Sequence, residues 1–281
     1  MPAELAVPEE TSALRHLHAA PTTFDLPAAF PNVTHLKADC TAIEPENKYA
    51  SILRFSNIES LNLRIQPFAF TLNSFLEAYG GNLHTLMIES KDWLNFSFSR
   101  IFDACPKLRK IELGHILILD DMKPLESFAQ LRELHWKPKN QFEMTNILSA
   151  PNLERVYLSC RHDWISVENL RKLMSLVADK KILSKLTSFS LRLFGSINYR
   201  EINYDLLRAL RDFVAVAAVH LPKLVNFKFW LGIKGRHPRL PRYFQSDNPE
   251  ELGKIGTKFQ EWIGDDTIVE FIRAINVRKQ L

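Results

Sequence analysis

The chain has 281 residues, of which 46% are hydrophobic and 24% are charged, and its formal net charge is +4. These fractions are those of an ordinary folded domain, and no apolar run is long enough for a membrane-spanning helix. The modest positive charge does not by itself indicate nucleic-acid binding, which needs a concentrated basic face.

The N-terminus and the cysteines indicate the compartment. The first ten residues are acidic and interrupted by proline, and they lack the basic start and apolar run of a secretory signal. Three cysteines, Cys40, Cys105 and Cys160, are too few for a disulfide framework and fit a reducing environment. We therefore expect an intracellular protein, in the cytoplasm, the nucleus or both.

Residues 33–230 contain a recurring phrase, L-x-x-L-x-L, in which Ile, Val, Phe or Trp can replace Leu. Its clearest copies begin at Ile58, Leu83 and Leu108, twenty-five residues apart. A period in the twenties predicts a leucine-rich-repeat fold with one strand and one helix per repeat. The eight copies begin at Val33, Ile58, Leu83, Leu108, Leu131, Leu153, Leu186 and Leu224, and a weaker ninth copy begins at Leu14.

The alternation within the phrase predicts which residues are buried. In a short strand, phrase residues four and six point into the core, and residues three, five and seven point away from it. One repeat cannot bury its apolar face alone, so repeats stack on one another. We predict an α/β fold: a leucine-rich-repeat solenoid, or horseshoe, with a parallel concave sheet, outer helices and a helical C-terminal cap.

In chain order, four regions are predicted. Residues 1–32 are a lead-in with a degenerate capping repeat, residues 33–230 are the leucine-rich repeats, residues 231–248 are a basic loop, and residues 249–281 are the C-terminal helical cap. Apolar spacing predicts helices over Thr71–Tyr79, Ser97–Ala104, Ser166–Asp179 and Ile202–His220. The apolar run Ile116–Leu119 fits either a second strand or a buried turn.

Helix-breaking residues precede most phrases at a fixed offset. Proline at positions 31, 106, 151 and 222 is expected to stop the preceding helix. At Gly80 and Gly81 we expect glycine to stop it, through a left-handed cap.

The candidate partner-binding surface is the outward row at phrase positions three, five and seven. This row is mostly polar, whereas the buried row is apolar. Exposed aromatic residues and arginines dominate binding energy at protein interfaces, and solenoids bind through extended concave faces. An ordinary solvated sheet face is the alternative. The candidate residues are Arg64, Met87, Glu112, His135, Arg155, Tyr157, Arg192, Lys228 and Trp230.

Four cations in the 231–248 loop form a second candidate site, for an anion. With the neighbouring Tyr243 and Phe244 they could contact phosphates and stack on bases, or bind an acidic peptide. A solvated insertion is the third interpretation. The cations are Lys234, Arg236, Arg239 and Arg242.

No pattern typical of catalysis is present. The chain lacks a glycine-rich phosphate loop, a C-x-x-C pair and an H-E-x-x-H motif, so we expect no enzyme activity, cofactor or metal. His16 and His18 could share a metal from a strand, but without a third ligand nearby an incidental pair is favoured. Cys105 and Cys160 occupy positions where a small apolar residue packs, which favours core filling over nucleophilic catalysis.

The phrase Cys105-Pro106-Lys107-Leu108, with Ile111 and Leu113, resembles the cysteine-containing repeats of F-box proteins. The phrases that begin at Val33 and Leu153 are similar, since each closes with a cysteine. The resemblance covers residues from about 14 to 230. The family often carries Asn or Cys at the ninth position, whereas this chain has Thr41, Gln66, Lys91, Ile116, Lys139 and Arg161 there. We expect residues 1–32 to be too short and too rich in proline for the F-box itself.

The resemblance implies substrate recognition for a cullin–RING ubiquitin ligase, with the cullin ligase adaptor as a candidate partner. We expect a non-enzymatic protein–protein interaction module, monomeric by itself, that is an F-box-like substrate receptor or a shortened paralogue of one. A free-standing scaffold or inhibitor with no ubiquitin link is the alternative. A nucleic-acid-associated protein that uses the basic loop is a third hypothesis. No membrane partner is expected.

Overall fold

The computed structural model describes residues 13–19, 26–41, 50–65, 69–118, 128–138, 141–197 and 204–233. The chain divides into two compact units, Met1–Asp121 and Met122–Leu281, which we call unit 1 and unit 2. The predicted cap at 249–281 and residues 234–248 of the predicted basic loop lie outside the described residues. None of the helices within the described ranges is long and apolar enough to cross a bilayer.

Unit 1 contains an open, all-parallel sheet whose five described strands follow the order of the sequence. The strands are β1 (His16–Ala19), β2 (His35–Cys40), β3 (Ser60–Ile65), β4 (Thr85–Phe96) and β5 (Lys110–Ile118). The helices between them are α1 (Leu26–Ala29), α2 (Ala69–Tyr79) and α3 (Phe98–Ala104). The helices predicted at Thr71–Tyr79 and Ser97–Ala104 are therefore confirmed.

Unit 2 has the same arrangement with four described strands. The strands are β6 (Glu133–Pro138), β7 (Arg155–Arg161), β8 (Ser188–Ile197) and β9 (Asn226–Ile233). The helices are α4 (Met144–Ile147), α5 (Val167–Ala178) and α6 (Tyr204–His220). The helix predicted at Ser166–Asp179 is confirmed, and Ser166 caps it by accepting the Asn169 N–H at 3.0 Å.

The same two backbone hydrogen bonds join consecutive repeats within each unit. The carbonyl oxygen of the second phrase residue accepts N–H groups from the second and third residues of the next phrase; Thr34 thus accepts from Glu59 at 2.9 Å and Ser60 at 3.1 Å. The Arg15 carbonyl accepts the same two hydrogen bonds from the next phrase. The weak phrase at Leu14 is therefore a repeat in register with the others. The other carbonyls are those of Glu59, His84, Arg132, Glu154 and Thr187.

A hydrogen-bonded turn leads into the phrases. The N–H of the first phrase residue donates to the carbonyl three residues earlier, as in Leu108 to Cys105 at 3.1 Å. Four of these turns carry proline at their second position, where its fixed φ suits the turn and no N–H donor is needed. Pro31, Pro106, Pro151 and Pro222 therefore shape the turn as well as stop a helix.

The buried row is as predicted and extends one residue further. Phrase residues one, four and six are buried in each copy from Val33 to Leu186, and the eighth residue is buried wherever its burial is described. In unit 2, Phe189 meets Phe213 of α6 edge-on at 5.4 Å and stacks on Phe227 at 5.7 Å. Each fully buried side chain of this size stabilises the fold by about 1.5–3 kcal/mol.

The apolar run at Ile116 continues β5 rather than forming a separate element. After a register shift between Glu89 and Leu94, the outer half of β4 pairs Leu94 with Ile116 and Phe96 with Ile118. Leu119 lies outside the described residues.

The prediction of a left-handed cap at Gly80 and Gly81 is wrong. Neither residue has a φ in the left-handed region, and Gly80–Asn82 forms a 3-10 turn directly after α2. Glycine is required at position 80 for space, since a Cβ there would lie 2.4 Å from the Ala104 carbonyl oxygen. The backbones of adjacent repeats approach too closely for any side chain.

The left-handed cap occurs at the end of α5, on a residue that is not glycine. Lys180 has φ 58°; its N–H donates to the Val177 carbonyl at 3.0 Å, and the Lys181 N–H donates to the Leu176 carbonyl at 2.9 Å. This pair of bonds is the Schellman motif, in which glycine is preferred at the Lys180 position.

Gly80→Ala is expected to lower the free energy of unfolding by about 2–3 kcal/mol, because the new methyl group meets backbone rather than a flexible side chain. The matched control is Gly81→Ala, where nothing lies within 4 Å of the added Cβ. That variant should be neutral or gain about 0.5 kcal/mol. Urea denaturation measures both, and equal effects would contradict the close approach.

Lys180→Gly is expected to raise the free energy of unfolding by about 1 kcal/mol, since glycine relieves the left-handed strain. Ala178→Gly, two residues earlier within α5, should instead lower it by about 1 kcal/mol. Denaturation of both variants under the same conditions tests the cap, and a loss of stability in both would contradict it.

Candidate functional site: the exposed sheet faces

In each unit, the outward sheet face consists of phrase residues three, five and seven, and we call it the exposed face of that unit. Strand pairing aligns equivalent residues of adjacent phrases, as with His35, Ser60 and Thr85 in unit 1. Burial alternates along the strands as predicted, so the face residues whose burial is described are exposed or half-buried, apart from the small buried Gly114 and Ser159.

A chain of charges crosses the exposed face of unit 1 at phrase position seven. Arg64 lies 3.5 Å from Asp39 on one side and 3.6 Å from Glu89 on the other. The hydroxyl of Thr41, which donates to Asp39 at 2.6 Å, and the nearby Arg64 guanidinium lower the pKa of the Asp39 carboxyl. The Arg64 side chain is 50% exposed, and pairs of this kind contribute about 0.2–1 kcal/mol each.

Histidines occupy the start of the same face. The His16 and His35 rings stack with centroids 4.1 Å apart, and His35 Nδ1 is 2.9 Å from the Thr34 hydroxyl. His18 lies two residues further along β1, opposite Lys37. Within the described ranges, no group of three or more His, Cys, Asp or Glu residues is placed to hold a metal ion.

The exposed face of unit 2 brings several predicted residues together. His135 and Tyr157 are register neighbours, with ring centroids 5.7 Å apart. Arg155 donates to the carboxylate of Glu133 on the preceding strand, and this bond raises the Arg155 pKa. In the same row as Tyr157, Ser190 follows on β8.

The predicted binding residues are therefore divided between the two units. Met87 and Glu112 are register neighbours on unit 1, beside Arg64, and the remaining candidates belong to unit 2. Lys228 and Trp230 lie on β9 at the positions that pair with Ser190 and Arg192, respectively. The loop candidates Lys234, Arg236, Arg239 and Arg242 lie outside the described residues.

Sequence reasoning missed the carboxylates that pair with the predicted arginines. Asp39 and Glu89 flank Arg64, and Glu133 holds Arg155. The signal was available, because these residues occupy the same phrase position as their partner in an adjacent copy. Opposite charges directly across two strands attract one another, so alignment of the phrases predicts the pairs.

A second missed feature lies immediately before the phrases. Lys107 donates to the Asn82 side chain at 3.1 Å in unit 1, and Lys185 donates to the Asn152 side chain in unit 2. Asn152 in turn donates to the Ala129 carbonyl. These bonds link one repeat to the next from a position other than the ninth, where the asparagines of the F-box family often lie.

The three thiols are buried and belong to the core, as predicted for Cys105 and Cys160. Cys40 and Cys160 occupy the eighth phrase position, and Cys105 accepts the turn hydrogen bond from Leu108 through its carbonyl. Burial raises the pKa of all three thiols to about 12. A thiol that stays protonated at neutral pH is a poor nucleophile.

Comparisons with known proteins find similarity among solved structures. No protein-family profile matches the chain, and no curated protein matches it. Among solved structures, the chain is similar to an internalin (inlF) from Listeria monocytogenes strain 4b F2365, with 16% sequence identity and a TM-score of 0.39. The similarity covers 81% of this chain and 64% of the internalin chain, less than two thirds of its length.

The folded protein is expected to resist 5,5′-dithiobis(2-nitrobenzoate) at pH 8, because its thiols are buried and protonated. In guanidinium chloride all three cysteines should react at the rate of free cysteine, the control measured alongside. Absorbance of the released thiolate follows both reactions. A thiol that reacts rapidly in the folded protein would contradict the buried placement.

Proposed function

We propose that this protein is a non-enzymatic binding module that holds a protein partner on the exposed face of unit 2. The observation that supports it most is the placement of Tyr157 beside His135, with Arg155 on the adjacent row of the same strand. Tyrosine and arginine are among the residue types that dominate binding energy at protein interfaces. Arg155 is also held in place by Glu133, which reduces the entropy lost on binding.

The type of sheet supports the same proposal. All-parallel sheets usually have both faces covered, because helical connections pack on them. In unit 2 the apolar side of the sheet is buried, for example by α6 against Phe189, while the other side carries exposed and half-buried polar residues. A partner that covers this second side completes the usual arrangement.

A finer proposal concerns the cellular role. The resemblance to F-box repeats supports a substrate receptor, or a shortened paralogue, that acts in the cell with a cullin ligase and its adaptor. Cys40 and Cys160, which carry part of that resemblance, occupy equivalent buried positions in the two units. A free-standing scaffold or inhibitor uses the same exposed face without ligase subunits. The cations of residues 234–242 remain a proposed anion-binding site.

Affinity purification from the native cell, followed by mass spectrometry, tests both the proposed binding face and the proposed cellular role. We expect a stoichiometric partner that is captured by the unaltered chain and weakened at least tenfold by His135→Ala combined with Tyr157→Ala. The matched control replaces Leu176 and Met174 of α5 with alanine, two half-buried residues away from the exposed face. Retained affinity after the first pair of substitutions, with the fold intact by circular dichroism, would contradict the placement.

The same experiment distinguishes a substrate receptor from a free-standing scaffold or inhibitor. Recovery of a cullin and its adaptor supports the substrate-receptor proposal, and the other captured proteins become candidate substrates. A single partner without ligase subunits contradicts that role and leaves the binding module in place.

A further inference from the structure

Four lysines lie at one end of unit 2, where α5 and α6 end and β8 and β9 begin. Lys180 and Lys181 follow α5 closely, and Lys185 and Lys223 come immediately before the phrases of β8 and β9. Because α5 packs beside α6 and β8 pairs in parallel with β9, these positions meet at the same end of the unit. All four lysines are exposed, and we call this group the lysine edge.

Little negative charge opposes the lysine edge. Asp179 lies 3.0 Å from Lys181, and Glu154, which belongs to the preceding phrase, pairs with Arg132 at 3.4 Å. Within the described part of unit 2, no carboxylate pairs with the other three lysines, and Lys185 donates instead to a neutral amide side chain. The lysine edge therefore presents an excess of positive charge.

Two exposed valines flank the lysine edge. Val219, in the last turn of α6, is 60% exposed, and Val225 is 56% exposed. In the described ranges, Leu14 is the one other large apolar side chain that is exposed. Exposed apolar side chains that are grouped beside charge, unlike single scattered ones, mark binding surfaces. Val225 is the second residue of its phrase, where the other seven copies carry a polar or charged residue, namely Thr34, Glu59, His84, Arg109, Arg132, Glu154 and Thr187.

The loop that carries three of the lysines has a strained backbone. Lys180, with φ 58°, and Leu183, with φ 60°, are the non-glycine residues of positive φ among those described. Glycine is preferred at the Lys180 position, so lysine there is unfavourable for folding. Strain of this kind concentrates at functional sites. Attraction to the helix dipole favours cations at the end of α5, but it does not account for Lys223 or for the valines.

The residue types at this end of unit 2 distinguish between anionic partners. Protein interfaces are enriched in arginine and aromatic residues and depleted in lysine, and single-stranded nucleic acids stack on aromatic side chains. Residues 179–187 and 219–225 contain no Arg, Phe, Tyr or Trp. Lysines beside exposed aliphatic side chains suit an anionic bilayer, because ammonium groups attract lipid phosphates and apolar groups enter the interfacial layer.

We infer that the lysine edge and its two valines attach unit 2 to the surface of an anionic phospholipid bilayer. The ammonium groups pair with lipid headgroups while Val219 and Val225 enter the interfacial layer. This inference differs from the expectation of no membrane partner, which followed from the lack of a long apolar run, because surface attachment needs no membrane-spanning segment. It does not depend on the proposed function, since none of these residues belongs to the exposed face of unit 2.

The test is co-sedimentation of the full chain with vesicles of phosphatidylcholine that contain about 30% phosphatidylserine, an anionic lipid. We expect the chain to bind these vesicles and to bind pure phosphatidylcholine vesicles at least tenfold more weakly. The affinity for the anionic vesicles should fall as salt is raised. No binding, or equal binding to both kinds of vesicle, overturns the inference.

Lysine variants locate the contact. Each lysine near an anionic bilayer strengthens attachment about fivefold, so removal of three should weaken it at least tenfold. That variant combines Lys180→Gln, Lys185→Gln and Lys223→Gln. The matched control removes three exposed lysines elsewhere and should weaken binding less than threefold; one of them donates to an asparagine as Lys185 does. The control combines Lys37→Gln, Lys107→Gln and Lys137→Gln. Equal losses in the two variants overturn the inference.

A valine variant tests entry into the interfacial layer. Val219→Gln combined with Val225→Thr should weaken binding to the anionic vesicles at least threefold, because the apolar contribution is lost. Threonine at position 225 matches Thr187, the equivalent residue of the preceding phrase. The control is Leu14→Gln, which alters the other exposed apolar side chain and should leave affinity unchanged. Unchanged affinity in the valine variant overturns the inference.

A fluorescent label tests the contact without altering a lysine. Ser184 is exposed between Lys181 and Lys185, and the three native thiols are buried, so Ser184→Cys offers one reactive site. A nitrobenzoxadiazole label there should shift its emission to shorter wavelength when anionic vesicles are added. The same label at Ser56→Cys, an exposed position of unit 1, should not shift. Absence of a shift at position 184 in vesicle-bound protein overturns the inference.

Three further measurements exclude other anions and the other basic segment. Inorganic phosphate should release no more protein from the vesicles than chloride of equal ionic strength; greater release would identify a soluble phosphate as the ligand. A labelled polyglutamate peptide or oligothymidylate that binds more tightly than the vesicles, and is lost in the three-lysine variant, overturns the inference in favour of an acidic protein or a nucleic acid. Glutamine at positions 234, 236, 239 and 242 should weaken vesicle binding less than the three-lysine variant does; a larger loss overturns the inference in favour of the 231–248 loop.

Discussion

A shared backbone hydrogen-bond acceptor at each described junction within the two units determines the rest of the structure. The carbonyl of the second phrase residue accepts two N–H groups from the next phrase, as Thr34 does from Glu59 and Ser60. These two hydrogen bonds fix the register of neighbouring strands. Since side chains alternate along a strand, a slip of one residue would expose the apolar row and bury the polar one. The core and the exposed face therefore depend on the same pair of hydrogen bonds.

Much of the fold follows from the sequence because its signals are local and repeated. The phrase spacing predicts the strands, and apolar periodicity predicts α2, α3 and α5 close to their observed ends. Even the weak phrase at Leu14 has the expected register. The features that escape prediction depend on distant parts of the chain. The need for Gly80 arises from Ala104, and the length of β5 arises from its pairing with the outer half of β4.

The candidate site is less predictable than the fold for a related reason. The sequence identifies the residue types on the exposed faces, including Tyr157 and Arg192, but not which charges are already paired. Glu133 neutralises Arg155, and Arg64 is shared between two carboxylates. The charge that each exposed face presents depends on such pairing. It is a property of neighbouring strands together, whereas the phrase describes one strand at a time.

The junction hydrogen bonds make the arrangement of the exposed face independent of the length of the connections between strands. From Val33 to Leu108 the phrases lie twenty-five residues apart, yet thirty-three residues separate Leu153 from Leu186 and thirty-eight separate Leu186 from Leu224. The carbonyls of Glu154 and Thr187 still make the same two bonds across these longer connections. Gene duplication or recombination at a phrase boundary can therefore add, remove or exchange a helix without displacing the side chains of the face. The side chains of the exposed face and the size of the scaffold can evolve independently in such a chain.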